Sequence, residues 1–187
     1  MFTRLLSTAA FATLLATAAS AQTIVPTGHF ADVELHGGGH VTFVHGAQQS
    51  VALLKGSTQY TSFEVRDGHQ LVIEACNSDC PSEYDLEIQI TVPEVHGASV
   101  RGGGHIDVAP GFPAQGSVSV AVRGGGSIDT RNLAASTGNA SVDGGGRIDI
   151  QATGALNAAV NGGGHIRYSG NPVVASAVRG GGDVSRE

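Results

Sequence analysis

Apolar and polar residues alternate along most of this chain after about residue 30. In the segment 117–122 the valines occupy every second position, and Ile128 and Thr130 continue the pattern in the next segment. A period of two is typical of strands that bury one face, and the many Gly, Val, Ile, Ser and Thr residues disfavour helices. Further strands are predicted at 31–44, 51–54, 63–66, 71–75 and 86–92, with a tight turn at Asp67-Gly68.

A Gly-Gly-Gly triplet follows many of these segments. The last five recur at a nearly even interval, and the triplets start at Gly37, Gly102, Gly124, Gly144, Gly162 and Gly180. A fixed period near 20 indicates a β-solenoid, with glycines at corners where φ is positive or where backbones approach closely. We therefore predict an all-β parallel fold, a β-solenoid with repeats of about 18–22 residues. The long segment between Gly37 and Gly102 predicts that about three turns separate these two glycines. Phosphate binding by the triplets is disfavoured, because strands rather than helices follow them.

The period also predicts columns of equivalent side chains. Two inward columns are expected from the aliphatic positions: Ile106, Ile128, Ile148 and Ile166, then Val108, Thr130, Ile150 and Tyr168. Two outward columns are His105, Ser127, Arg147, His165 and Asp183, and beside them Asp107, Asp129, Asp149, Arg167 and Ser185. We predict a binding face at His105, Asp107, Asp129, Arg147, Asp149 and His165. Aspartates about 5 Å apart repel, so either solvent together with the nearby Arg147 and Arg167 relieves this repulsion, or a calcium ion does.

The N-terminal segment 1–21 is typical of a secretory signal peptide. Arg4 precedes an apolar stretch at 5–18, and Ala19-Ser20-Ala21 has the small residues that a signal peptidase cuts. The remaining segment, 22–187, is expected to form a single exported domain, periplasmic, on the cell surface or secreted. No second long apolar segment follows, so no membrane span is expected after removal of the signal peptide.

The charge of the chain excludes some classes of partner. Its formal net charge is −6 at pH 7, and Lys55 is its one lysine. An acidic, lysine-poor surface argues against nucleic acid and anionic lipid as partners. The chain has no tryptophan, which weighs against a sugar-stacking cleft.

Two cysteines, Cys76 and Cys80, lie four positions apart. In an oxidising compartment this spacing favours an intramolecular disulfide, worth about 2 kcal/mol for so small a ring. A redox or metal pair is the alternative, but the spacing is one residue longer than the Cys-x-x-Cys redox pattern.

Histidines offer the alternative chemistry. His36, His40 and His45 surround the first triplet and could together bind zinc or copper, whereas isolated surface histidines explain the same pattern more simply. His40 and His105 are expected to lie about three turns apart. The chain carries no hydrolase elbow and no His-Glu-x-x-His motif, so we predict a protein that is not an enzyme and needs no cofactor. A small polysaccharide-active β-helical enzyme is the third alternative.

The repeated Gly-x-Gly-polar-Ile/Val unit, with the opening pattern of Phe30, Val33, Gly38, Val41 and Phe43, resembles a known bacterial group. It is similar to the putative auto-transporter adhesin head domain family, also called the head GIN domain, over about 30–185. In that family the unit usually reads Gly-Ser-Gly-Asp-Ile/Val, and the segment 180–184 comes closest here. The resemblance implies a right-handed parallel β-helix in an exported, adhesin-like protein, with no catalytic residues to carry over. Its partners would be an envelope protein, a polysaccharide, or a second copy joined end to end.

Overall fold

The computed structural model describes residues 22–77 and 79–187, and the predicted signal peptide lies outside them. Every regular element in these residues is a strand, so the all-β prediction is confirmed, and none of them forms a helix long and apolar enough to cross a membrane. The strands are β1 (Thr23–Val25), β2 (Asp32–Gly37), β3 (His40–His45), β4 (Ser50–Lys55), β5 (Ser62–Arg66), β6 (Gln70–Glu74), β7 (Glu87–Val92), β8 (Gly97–Gly102), β9 (His105–Val108), β10 (Gln115–Gly124), β11 (Ser127–Gly144), β12 (Arg147–Gly162), β13 (His165–Ser169), β14 (Val173–Arg179) and β15 (Asp183–Arg186).

All of these strands belong to one continuous sheet that forms two ladders. The first ladder runs β5-β6-β2-β8-β10 and continues through the C-terminal parts of β11 and β12 to β14. The second ladder runs β1-β4-β7-β3-β9 and continues through the N-terminal parts of β11 and β12 to β13 and β15. The buried core takes side chains from both ladders.

The glycine triplets connect the two ladders. The first glycine of a triplet has a positive φ, +119° at Gly124, and its amide and carbonyl lie against the equivalent glycine of the neighbouring repeat. The amides of Gly125 and Gly126 both donate to the carbonyl of Gly102, 3.0 and 2.9 Å away. A corner stacked this closely on the one before it has no room for a side chain at its first or third position.

The inward columns lie in the predicted register. Ile128 pairs with Ile106 and with Ile148, Ile148 pairs with Ile166, and all four are fully buried. In the second column, two residues further along each strand, Thr130 pairs with Ile150 and both are fully buried. Tyr168 of this column packs at the margin of the core. Each buried isoleucine contributes about 1.5–3 kcal/mol of hydrophobic stabilisation.

The N-terminal half departs from the predicted uniform parallel stack. Three strands at its margin, β1, β4 and β5, pair antiparallel with their neighbours. The hairpin between β5 and β6 turns at Asp67 and Gly68, both with positive φ, as the sequence predicted. The fold is therefore a mixed sheet: β2, β3 and β6 to β15 pair with one another in parallel, and the antiparallel strands β1, β4 and β5 border them at one end.

The prediction of three turns between Gly37 and Gly102 was wrong. These glycines are direct partners in the ladder, because β2 pairs with β8 and β3 pairs with β9. The intervening residues include β4, β5 and two further strands. Of these two, β6 pairs with the opposite side of β2, and β7 pairs with the opposite side of β3. The order of the strands in space thus differs from their order along the chain.

Candidate functional site

The outward side chains of the second ladder form a continuous polar surface, here called the polar face. It consists of two adjacent columns: His40, His105, Ser127, Arg147, His165 and Asp183, and Thr42, Asp107, Asp129, Asp149, Arg167 and Ser185. The first column follows the glycine corner directly, and the second lies two residues further along each strand. All six residues of the predicted binding face lie here, side by side in the ladder. A groove of about 560 Å³ runs between the columns from His105 to Arg167.

Arginine offsets the charge of Asp129. Arg131 Nε donates to Asp129 Oδ1 and Oδ2 over 3.0 and 3.1 Å, and the backbone amide of Arg131 donates to Oδ1 as well. Partial burial raises the pKa of Asp129, but the hydrogen bonds from Arg131 outweigh it and hold this pKa below its usual range. The same carboxylate raises the pKa of the Arg131 guanidinium. Asp129 is therefore charged and matched at neutral pH.

A second arginine covers Asp149. Arg167 Nε donates to Asp149 Oδ1 over 2.9 Å, and the aspartate is buried beneath the guanidinium. The two carboxylates that β11 and β12 place on the polar face thus each face an arginine. Of the two explanations that the sequence left open, arginine pairing accounts for these two aspartates, through Arg167 as predicted and through Arg131 in place of Arg147.

Arg147 has a different environment. It lies between Ser127 and His165 in the first column, lines the groove, and is exposed. In the described part of the chain it forms no ion pair with an acidic side chain. Its positive charge therefore faces solvent in the middle of the polar face, while the neighbouring carboxylates of Asp129 and Asp149 are each paired with another arginine.

At the C-terminal end of the polar face, His165 pairs with Asp183. The two side chains are hydrogen-bonded through His165 Nδ1, and both are about half exposed. This hydrogen bond is the main cause that lowers the pKa of the Asp183 carboxyl.

At the N-terminal end, His40 and His105 are ladder partners, and Asp107 lies beside them. His40 Nε2 contacts Asp107 Oδ1, and His105 Nε2 lies 3.8 Å from the same oxygen. The imidazole rings meet edge to face, with centroids 4.9 Å apart. The sequence did not predict this group, because it expected His40 and His105 to lie three turns apart. The repeated Gly-Gly-Gly-His at 37–40 and 102–105 was the available signal.

The structure does not bring His36, His40 and His45 together. His36 lies on the first ladder, where Nδ1 is 2.6 Å from Glu74 Oε1, and Nε2 is buried near Glu34. The ring of His45 packs against Phe112 with centroids 5.3 Å apart. Among the described residues, His40 is the one of these three histidines that falls within a group of three potential ligand atoms spaced for one metal ion, and its companions are His105 and Asp107.

The first ladder has its own concave outer surface, which the sequence interpretation missed. A groove of about 580 Å³ crosses β2, β8, β10, β11, β12 and β14. Its lining consists mainly of small residues, among them Ser99, Ala121, Ser141, Ala159 and Ala177. The small size of these outward residues was readable from the repeats, but the concavity depends on how the ladder bends.

The predicted disulfide is present between Cys76 and Cys80, with a Cα–Cα distance of 5.9 Å. It closes the loop between β6 and β7. Thr61 and Tyr84 are joined by a hydrogen bond of 2.8 Å in the same region, and the Thr61 hydroxyl also donates to the carbonyl of Ala75. The bridge belongs to this connection, and no residue of the polar face takes part in it.

Residues 114–172 match the model of the family described as putative auto-transporter adhesin, head GIN domain. The resemblance that the repeats predicted is therefore confirmed over this segment. The match covers the strands that carry Arg147, Asp129, Asp149 and His165. A search of curated proteins found no match.

The chain is similar to several solved structures. A putative adhesin from Bacteroides fragilis is similar at 18% identity and a TM-score of 0.55, covering 89% of this chain and 96% of that one. A putative lipid binding protein from Parabacteroides distasonis aligns at 15% identity and a TM-score of 0.38, covering 89% and 96%. A putative adhesin from Parabacteroides merdae aligns at 14% identity and 0.34, covering 89% and 95%. At these identities the first structure supports the fold alone.

Proposed function

We propose, starting from the head GIN resemblance of residues 114–172, that this protein is an exported, non-enzymatic binding module of adhesin type. In this proposal the chain is a right-handed parallel β-helix over its repeats, and its polar face contacts an anionic polymer of the cell envelope. An acidic polysaccharide is the partner class that fits the chemistry of this face best. An envelope protein with a carboxylate-rich segment is the alternative partner.

Arg147 carries the proposal. Its guanidinium is exposed in the groove, while Asp129 and Asp149 beside it are matched by Arg131 and Arg167. A planar guanidinium can bind a carboxylate through two parallel hydrogen bonds. The local environment therefore favours an anionic ligand even though the chain as a whole is acidic.

The repeat supplies further contacts along the same line. His105, Ser127 and His165 occupy the equivalent positions next to Arg147, and parallel strands are about 4.8 Å apart. Hydrogen-bonding groups at a regular interval suit a polymer whose units also repeat. Several weak contacts then add to a useful avidity without a deep pocket.

The electrostatics of the face favour binding over catalysis. A carboxyl that acts as a general acid near neutral pH needs a raised pKa. Arg131 holds the pKa of Asp129 low instead. The polysaccharide-active enzyme that the sequence left as a third alternative therefore receives no support from this carboxyl.

Export is part of the proposal. The segment 1–21 has the features of a signal peptide, and the disulfide between Cys76 and Cys80 suits an oxidising compartment. The description of the matching family, an auto-transporter adhesin head, agrees with a position outside the cytoplasm. Cell fractionation of the tagged chain would test it: recovery in the cytoplasm, with the segment 1–21 retained, would contradict export.

The binding proposal is tested by retention of the purified protein on immobilised polygalacturonate, with neutral dextran as the comparison matrix. We expect retention at low salt that falls steeply as ionic strength rises, because exposed charges are screened. Arg147→Gln should reduce retention at least threefold. Arg123→Gln is the matched control, because Arg123 is also exposed and also adjoins a triplet, but on the first ladder. The proposal would be contradicted if the wild type were retained on dextran as strongly as on polygalacturonate, or if Arg123→Gln lost as much retention as Arg147→Gln.

A second copy of the chain is the other partner proposed. Among the described strands, β14 and β15 each pair on one side only, and Val173 and Val178 of β14 are exposed. Unpaired parallel edges are able to accept another strand. Light scattering of the purified protein tests this directly: a concentration-dependent dimer supports end-to-end assembly, and a monomer at all concentrations refutes it.

A further inference from the structure

The N-terminal end of the polar face differs from the rest in the chemistry of its pairs. Three aspartates, Asp107, Asp129 and Asp149, occupy one column. Asp129 and Asp149 face arginines, but the neighbours of Asp107 are the imidazoles of His40 and His105. Among the described residues no arginine or lysine pairs with Asp107, so nitrogen donors of two imidazoles surround this carboxylate instead of a guanidinium.

The pairing of β3 with β9 brings these three side chains together. His105 and Asp107 are two residues apart on β9 and so point to the same side, while His40 is the ladder partner of His105 on β3. The glycine triplets before His40 and His105 place both histidines at the same position in successive repeats. The group is therefore held by two stacked corners and not by a mobile loop.

The donor atoms lie close to the spacing that a metal ion requires. One ligand atom from each residue lies within 4.8 Å of the other two, and His105 Nε2 is 3.8 Å from Asp107 Oδ1. Ligand atoms about 2.1 Å from a tetrahedral zinc ion are separated by about 3.4 Å. Rotations of partly exposed side chains close this difference, and the backbone need not move.

A neighbouring hydroxyl prepares one imidazole for coordination. His105 Nδ1 is hydrogen-bonded to Ser127 Oγ on the adjacent strand. When Nδ1 donates to this hydroxyl, the lone pair of Nε2 points toward Asp107 and is available to a metal. A histidine that binds metal through one nitrogen commonly donates a hydrogen bond from the other.

We propose that His40, His105 and Asp107 form a binding site for a divalent transition metal of the zinc type. Two imidazole nitrogens and one carboxylate oxygen match the ligand preference of zinc, copper(II), nickel or cobalt(II), whereas calcium and magnesium prefer oxygen ligands alone. Three protein donors leave a coordination position that faces solvent. A water molecule, or a carboxylate or imidazole of a binding partner, completes the coordination there. This site goes beyond the proposed binding of an anionic polymer and does not depend on it.

The test uses the purified full-length protein after treatment with chelator. Isothermal titration with Zn²⁺ measures the affinity and stoichiometry, and the visible absorption of added Co²⁺ reports the ligand geometry independently of any function. We expect one ion per chain. We expect His40→Gln, His105→Gln and Asp107→Asn each to weaken binding at least tenfold and to remove the Co²⁺ absorption band.

His165→Gln is the matched control. His165 stands at the same position after a glycine triplet, is as exposed as His40, and also contacts an aspartate, but it lacks a second imidazole neighbour among the described residues of its column. Unchanged Zn²⁺ affinity in this variant is expected. Circular dichroism establishes that each variant is folded, and the three separate substitutions keep the test decisive if one of them is not. The proposal is overturned if the wild type takes up no Zn²⁺ at micromolar concentration, or if His165→Gln loses as much affinity as the other variants.

Discussion

The glycine triplets provide the sharpest test of how this fold is built, because their three positions should respond differently to the same substitution. In the triplet 124–126, Gly124 has a φ of +119°, and a Cβ there would lie 2.7 Å from the carbonyl oxygen of Gly102. A Cβ on Gly126 would lie 2.5 Å from the carbonyl oxygen of Gly104. A Cβ on Gly125 would have no atom within 4 Å, and the φ of this residue lies outside the left-handed region.

The magnitudes follow from these contacts. Gly124→Ala combines a strained backbone, about 1–3 kcal/mol, with a clash against neighbouring backbone, so we expect a loss of at least about 2 kcal/mol. Gly126→Ala has the clash alone and should cost about 1–3 kcal/mol. Gly125→Ala should stabilise the protein by about 0.4–1 kcal/mol, because alanine reduces the entropy of the unfolded chain.

Equilibrium unfolding in urea, followed by circular dichroism, measures all three variants against the wild type. For a domain of this size each kcal/mol also moves the thermal midpoint by about 2–4 °C. The reasoning fails if Gly125→Ala is as damaging as Gly124→Ala, or if Gly124→Ala leaves the urea midpoint unchanged. Serine at the middle position is the residue of the family pattern, and Gly125→Ser is expected to be tolerated for the same reason.

Three further predictions concern the core, the polar face and the disulfide. Ile148→Asp places a carboxylate at a fully buried position and should abolish cooperative thermal unfolding, whereas Ile148→Val should cost only about 0.5–1.5 kcal/mol; a cooperative melt of the aspartate variant would refute the column register. The folded pKa of Asp129 lies below its unfolded value, so its contribution to stability is present above about pH 4 and is lost as the pH falls through the folded pKa. Asp129→Asn should therefore differ most from wild type in urea midpoint near neutral pH and converge with it toward pH 2, and a difference that is constant with pH would contradict the pairing with Arg131. Replacing Cys76 and Cys80 together by serine should lower stability by about 2 kcal/mol, and an unchanged melting curve on reduction of the wild type would show that the bridge adds nothing.

The strands and columns of the repeats were predictable because their contacts are periodic. Ile106, Ile128, Ile148 and Ile166 recur at intervals that equal one repeat, so sequence spacing translates directly into the register of the ladder. The outward columns follow from the same spacing, since alternation assigns every second residue to the opposite face. The hairpin turn at Asp67 and Gly68 was also predictable, because it depends only on these two adjacent residues.

The N-terminal half was not predictable in this way. Alternation marks β2, β3, β6 and β7 as strands, but it does not say which neighbour each one chooses. Gly37 meets Gly102 directly because β6 and β7 join the far side of β2 and β3, and no periodic signal in the residues between them indicates this. The proximity of His40 to His105 was missed for the same reason. Arg131, which matches Asp129, was missed because it lies in the irregular stretch where β11 changes ladder.

The position of β6 and β7, on the far side of β2 and β3, has a consequence for how the chain folds. From β8 onward each strand pairs with its equivalent in the next repeat, so these contacts close short loops. By contrast, β2 pairs with β8 and β3 pairs with β9, and the sequence separation of these partners is several times that of neighbouring C-terminal repeats. Contacts at larger sequence separation cost more chain entropy before they stabilise anything. The C-terminal repeats are therefore expected to form first, with the N-terminal strands adding to a stack that already exists. Pulse-labelling hydrogen exchange during refolding would reveal this order as early protection in β10–β12 and late protection in β2 and β3.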